Sequence, residues 1–240
     1  MKYSFVFYGI VLALMIGGFL LWPRRTEAPA EIVAFKSAPK AEANNKNRVV
    51  LAVPYISEAP EGIWKQPWAN ACEEASVMMV DEFYKGSKSV SVAHAKEYML
   101  NLFAEEEVRY ESSRNADGLQ IADMSRRFAS FNAELKENPT MDEIKAEIKA
   151  GRPVITLHRG FDLHNPNIEF SPTLSSYHTI VVVGFDDDKK VFITNDPGDE
   201  KAGANHEYGY DLFMNSLHDY NAADNLADGT PSAVFTSISI

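Results

Sequence analysis

Gln66-Pro67-Trp68-Ala69-Asn70-Ala71-Cys72-Glu73-Glu74-Ala75-Ser76 opens a helical pattern and contains the only cysteine of the 240-residue chain. Asn70 reads as the cap of a helix running to Tyr84, and Glu73 three residues on completes something close to a capping box. Ala71, Ala75, Met78, Met79 and Phe83 supply its buried stripe; the methionine pair is core packing rather than a metal site. A lone cysteine excludes an internal disulfide and leaves two readings, a small buried hydrophobe or a catalytic thiol. Its place in the first turn favours the second. Backbone amides there are unpaired and carry partial positive charge, which together with a nearby imidazole stabilises a thiolate. Glu73 and Glu74 partly oppose this effect, unless their side chains point away.

The base has to come from another element. Of six histidines, His178 stands at the mouth of the strongest apolar run, Thr179 to Val183. An imidazole there is costly unless paired or used. A hairpin, signalled by Asp186-Asp187-Asp188-Lys189 between β-branched runs, brings Asn195 and Asp196 back alongside it. A carboxylate in that place fixes the tautomer of the ring. By pattern alone a structural role for His178 stays equally open. His158, His164 and His206 read as loop or core histidines. His218 and Asp219 are neighbours in a predicted helix and so do not share a face. The aspartate triplet lacks the ligand spacing of a calcium loop and reads as a solvated turn. No zinc, nucleotide or flavin motif appears, so no cofactor and no metal are expected.

Around these positions the chain reads as α+β. A short strand-like run spans Val49 to Val53. Helices follow over Val92 to Phe103, after Asp117 with Gln120 three residues on, and after Thr140 with Glu143 at the same offset, the last stopping at Gly151. The second half turns to strands: Val154 to His158, Tyr177 to Phe185, Val191 to Thr194 and Ala233 to Ile240, with a short helix over Tyr210 to Tyr220. Helices first and antiparallel strands second predict an α+β architecture.

Before the domain, Ser4 to Trp22 is nearly all apolar and uncharged. As a helix it spans roughly 28 Å, close to a bilayer core of about 30 Å. Residues 1–23 therefore read as a transmembrane anchor or uncleaved signal. Residues 24–48, rich in Ala, Pro, Lys and Asn, read as a flexible linker. Residues 49–240 form the domain, at about 190 residues enough for a sizeable core. Residues 1–48 hold seven Lys/Arg against three acids, whereas the remainder holds 16 against 31. So acidic a domain repels phosphate backbones, which argues against nucleic acid as a partner and fits a cationic peptide or simple solubility. Arg24, Arg25, Lys36 and Lys40 after the span, against Lys2 before it, point by the positive-inside rule to a cytoplasmic domain.

Gln66 six residues before Cys72, at the start of the main helix, resembles the oxyanion-hole glutamine of papain-like cysteine peptidases. A histidine in a later hairpin with Asn or Asp about 18 residues on is similar to the same clan. Val53 to Ser57, Gln66 to Ser76, Gly151 to Ile155, and Tyr177-His178 through Asn195-Asp196-Pro197-Gly198 together resemble the bacteriocin-processing-like peptidases, family thirty-nine of the cysteine peptidases, over roughly residues 49–220. The resemblance implies a papain-like fold with the nucleophile helix packed on a C-terminal antiparallel sheet. It implies Cys72 as nucleophile, His178 as base and later acid, Asp196 orienting His178, and Gln66 with the Cys72 backbone N–H holding the oxyanion. The substrate class is then a peptide or protein, and the implied location is a membrane with the catalytic domain outside the cytoplasm. That runs against the charge count, although long domains translocate largely regardless of flanking charge. Two departures stand out. Glu73-Glu74 replaces the Gly-Pro of many relatives, and no ATP-driven export module is present. Two alternatives keep the same fold: an amidase or transferase acting on cell-wall peptides, and a catalytically silent binding domain.

Overall fold

The computed structural model describes residues 47–111, 115–170 and 176–238. The expected anchor over residues 1–23 and most of the linker lie outside them. Among the described residues no helix is long and apolar enough to cross a membrane.

The elements run β1 (Arg48–Val50), α1 (Cys72–Tyr84), α2 (Val92–Tyr110), α3 (Gly118–Phe128), β2 (Phe131–Glu137), α4 (Met141–Lys149), β3 (Val154–Arg159), β4 (Tyr177–Asp186), β5 (Val191–Asn195), β6 (His206–Gly209), α5 (Tyr210–Ser216) and β7 (Ser232–Ile238). The strands form one sheet in the order β2-β7-β3-β4-β5-β6, with β1 also pairing on β4. Every pairing is antiparallel.

All ten residues of β4 are buried, because helices cover both faces of the sheet. On one side Tyr177, Val181 and Val183 pack with Ala75, Met78 and Met79 of α1 and Ile121 and Met124 of α3. On the other, Ile180, Val182 and Phe185 pack with Ile144 and Ile148 of α4 and Phe213 of α5. The α+β class and the docking of the nucleophile helix on the sheet match the sequence reading. The division into helices first and strands second is looser, since β1 and β2 precede α4 and α5 follows β6.

The capping boxes expected at α3 and α4 both form, through Asp117 with Gln120 and Thr140 with Glu143. α2 runs seven residues past the predicted end, and α5 stops at Ser216, so His218 and Asp219 lie beyond it. β2 was missed although Phe131 and Ala133 alternate inward with exposed neighbours. β6 also alternates, with Tyr208 buried between exposed Glu207 and Gly209, but its four residues are too few to stand out in the sequence.

Gly184 sits where β1 crosses β4. A Cβ there would lie 2.4 Å from the Val49 carbonyl oxygen. At the same point the β4–β5 register slips: Gly184 pairs with Ile193, but Val182 pairs with Thr194. One β4 residue, Val183, is left over, and its carbonyl accepts the Leu51 N–H at 2.7 Å. This bulge re-aims the end of the hairpin.

The packing of α1 against α2 buries two acids, Glu74 and Glu106, each about 2 % exposed. Burial pushes Glu74 well up, with the Glu106 charge adding to it. Burial raises Glu106 to about 7. Two carboxyls so placed share a proton. A folded-state pKa above the unfolded value supplies stability that is fully present below the unfolded pKa of about 4.3 and is lost as pH rises through the folded pKa. Thermal melts are therefore expected to fall from pH 5 to pH 8.5, and Glu106→Gln should flatten that slope. A melting curve insensitive to this substitution across the range would show that the pair carries no extra proton.

Candidate active site

Cys72 is the first residue of α1 and is 4 % exposed. A 3-10 turn over Trp68–Asn70 precedes it, which moves the helix start past Asn70. The cap position falls to Ala71, which has no side-chain hydrogen bond. The capping box expected of Asn70 and Glu73 therefore does not form. Asn70 instead accepts from the Gln66 side chain and donates to Asn115. One turn along α1, Ser76 Oγ donates to the Thr179 carbonyl at 3.3 Å. That ties the thiol's helix to β4 beside His178.

Glu73 does not point away. It is 1 % exposed. One carboxyl oxygen accepts the Ala116 N–H at 3.0 Å and the other accepts the Cys72 thiol at 2.9 Å. Burial pushes the Cys72 thiol well up, the charges of Glu73 and Glu58 push the same way, and a hydrogen bond from the Thr179 backbone opposes them. The resting thiol is therefore neutral and bonded to Glu73, where helix position alone predicts a thiolate. Burial likewise raises Glu73 itself, to about 7.

His178 is the second residue of β4 and is 3 % exposed. Its Nε2 lies 2.7 Å from Asp196 Oδ1. Burial alone would lower the imidazole; the Asp196 charge and hydrogen bond outweigh it and raise His178 above its ordinary value. Asp196 follows β5 and is fully buried. Its Oδ1 also accepts the Gly198 N–H at 3.1 Å, and its Oδ2 accepts Tyr208 Oη–H at 2.6 Å and Asn165 Nδ2–H at 3.2 Å. Burial alone would raise this carboxyl; the charge and hydrogen bond of His178, with those of Tyr208 and Asn165, bring it down to about 2. Asn195 faces the other way, donating to the Val53 carbonyl and accepting the Asn205 N–H. Gly198 leaves room for the imidazole, since a Cβ there would lie 2.9 Å from His178 Cε1. Phe170 packs on the ring with centroids 5.2 Å apart.

A donor of Cys72, a ring nitrogen of His178 and a carboxyl oxygen of Glu58 all lie within 4.8 Å of one another. They are near enough to gather round a cation. The thiol donates to Glu73 and the imidazole is bound to Asp196, so two of these three groups are already engaged within the protein. The structure thus brings together Cys72, His178 and Asp196. Gln66 is exposed, with its amide committed to Asn70. Three neighbours were missed. Asn165 and Tyr208 reach Asp196 from distant parts of the chain and left no local signal. Glu58 did leave one, as a carboxylate inside the otherwise uncharged, wholly buried run 53–60. His158, opposite His178 in the β3–β4 register, is a core residue held by Ser216 and Thr156. Burial lowers it well below the ordinary range.

The fold is similar to a crystal structure of a protein from Bacillus anthracis assigned to the C39-like peptidases, with a TM-score of 0.52 and 15 % identity over 80 % of this chain and 98 % of that one. No curated protein matches the sequence. The model of the Peptidase_C39 like family matches residues 50–228. With a match over well over half of its length, the chain belongs to the Peptidase_C39 like family.

Proposed function

We propose that the protein hydrolyses peptide bonds, with Cys72 as nucleophile, His178 as base and Asp196 as the group that orients and charges His178. The observation that carries this reading is the relay itself. A thiol at a helix start lies within 4.8 Å of an imidazole nitrogen, and Nε2 of that imidazole is held at 2.7 Å by a buried carboxylate. With Nε2 occupied, Nδ1 is the nitrogen left to take the thiol proton. The sulfur then attacks the substrate carbonyl, and the imidazolium formed is stabilised by Asp196 without proton transfer to it. Collapse of the adduct breaks the C–N bond, His178 returns the proton to the leaving amine, and water releases the acid from the thioester. In this reading the backbone N–H of Cys72, at the first turn of α1 where amides lack an intrahelical partner, donates to the oxyanion. The acidic domain favours a cationic peptide substrate.

We further infer that the apolar run Ser4 to Trp22 tethers the domain to a membrane with the domain outside the cytoplasm. Support comes from its length and from the tolerance of long domains to flanking charge. Protease added to intact cells should digest the domain; full protection would reverse the orientation.

Cys72→Ala should abolish hydrolysis and labelling by a peptide-like electrophile while leaving the melting temperature near that of the wild type. Asp196→Ala should lower kcat by about 10²–10⁴, more than Asp196→Asn, because the ring loses both charge and orientation. Asn195→Ala should be mild in turnover, since its side chain serves Val53 and Asn205. Turnover across the three variants, with melts as folding control, decides it. A crippled Asn195→Ala beside a near-normal Asp196→Ala would remove Asp196 from the relay. A wild-type protein inert to both substrate and probe would leave a binding domain.

A further inference from the structure

Glu58 has no part in the relay above, yet it lies against it. The side chain is more than nine-tenths buried. Its Oε2 has no hydrogen-bond partner, and one carboxyl oxygen lies within 4.8 Å of both Cys72 Sγ and a ring nitrogen of His178. A buried polar atom left unpaired beside a nucleophile needs a reason, because such groups are costly. The segment carrying it is fixed. The Glu58 N–H donates to the Pro197 carbonyl at 3.1 Å, next to Asp196, and Tyr55 Oη–H donates to the Asp199 carbonyl at 2.9 Å.

We propose that the Glu58 carboxyl, in its protonated form, is the side-chain donor of the oxyanion site. The inference rests on the thiol-hydrolase reading. When the Cys72 sulfur bonds to a carbonyl carbon, the oxyanion stands two bonds from the sulfur. A donor within 4.8 Å of that sulfur comes within hydrogen-bond reach of the oxygen when the oxygen turns toward it. Glu58 keeps its proton throughout and only shares it; the thiol proton goes to His178, and the negative charge on oxygen is met by the Glu58 O–H and the Cys72 N–H. This fills the role that the resemblance assigns to Gln66, whose amide is engaged at the surface.

The groups that face Glu58 are His178 on β4, Asp196 after β5, and Cys72 and Glu73 on α1, with Tyr55 on its own segment. Burial raises Glu58 to about 8, with Asp196 and Glu73 adding to the rise and His178 opposing it. The carboxyl is therefore protonated at neutral pH. Above its pKa it becomes a carboxylate and repels the oxyanion instead. Activity then needs His178 deprotonated, which sets an acid limb above the ordinary imidazole range, and Glu58 protonated, which sets an alkaline limb near 8.

The test compares the full chain with Glu58→Gln and Glu58→Ala, using infrared spectra and a peptide aldehyde whose reversible adduct with Cys72 places an oxygen at the proposed donor. A component of the protonated-carboxyl absorbance should be present at pH 7, vanish as pH passes about 8, and be missing from the difference spectrum of Glu58→Gln, while the component of the Glu74–Glu106 pair stays. Glu58→Ala should weaken aldehyde binding by about 10²–10³. Glu58→Gln, which retains a neutral donor, should bind within about tenfold of the wild type and lose the alkaline weakening. The proposal is overturned if no Glu58-dependent band exists at pH 7. It is equally overturned if Glu58→Ala binds the aldehyde as the wild type does, or, should that variant not fold, if Glu58→Gln keeps the alkaline limb. An adduct formed by wild type and lost in Cys72→Ala keeps the hydrolase reading standing through either of those results. Absence of any wild-type adduct overturns the hydrolase reading and this proposal together.

Discussion

The site depends on keeping Asp196 ionised with no solvent around it. Removing a carboxylate from water costs several kcal/mol, and hydrogen bonds to a charged group return about 1.5–3 kcal/mol each. Asp196 receives four, from His178, Gly198, Tyr208 and Asn165. Those donors win, and the charge is held. Glu58 is buried to a similar degree but has an oxygen with no donor, so there the cost of the charge wins and a proton is retained. Two acids in one small volume thus end in opposite protonation states, and the number of donors aimed at each decides which.

The bulge in the β4–β5 hairpin determines which residue meets His178. From Asp186 to Gly184 the strands hold one register; after the extra residue, Val182 faces Thr194 and Val181 faces Asn195. Continued by one step, this register sets Asp196 opposite Ile180, on the face that carries His178, because side chains on a strand alternate. Without the bulge Asp196 would fall opposite Val181 on the other face, and Asn195 would fall on the face of the imidazole. Gly184 permits the close crossing of β1 at that point. A structural feature in the core of the sheet therefore selects a carboxylate over an amide some distance away.

A buried carboxyl also changes how the thiol is prepared. With Glu73 accepting the hydrogen bond of the thiol and burial pushing Cys72 up, the resting thiol is neutral. The partial charge at the helix start acts against these influences without reversing them. Under the proposed hydrolase reading, a proton moves to His178 only when a substrate reaches the thiol. The Glu73-Glu74 pair after the cysteine is thus part of the electrostatics of the site and of the α1–α2 interface, not a solvated face.

Local sequence accounts for the helix that runs to Tyr84, though not for its start at Cys72, and for two capping boxes, the β4–β5 hairpin and the α+β class. Each of these is governed by local periodicity or by partners a few residues apart. The family resemblance pointed to His178 and Asp196, whereas pattern alone left a structural role for His178 equally open. Tertiary structure decided the rest. The physical reason for Asp196 rather than Asn195 meeting the imidazole lies in the β4–β5 bulge, at the residue where β1 pairs with β4 from more than 130 residues upstream. Bringing Asn165 and Tyr208 to Asp196, turning Glu73 inward, and setting Glu58 beside the thiol while Gln66 stays at the surface are long-range packing outcomes. They follow from which side chains the closed core can pair with hydrogen-bond donors, and no stretch of local sequence contains that information.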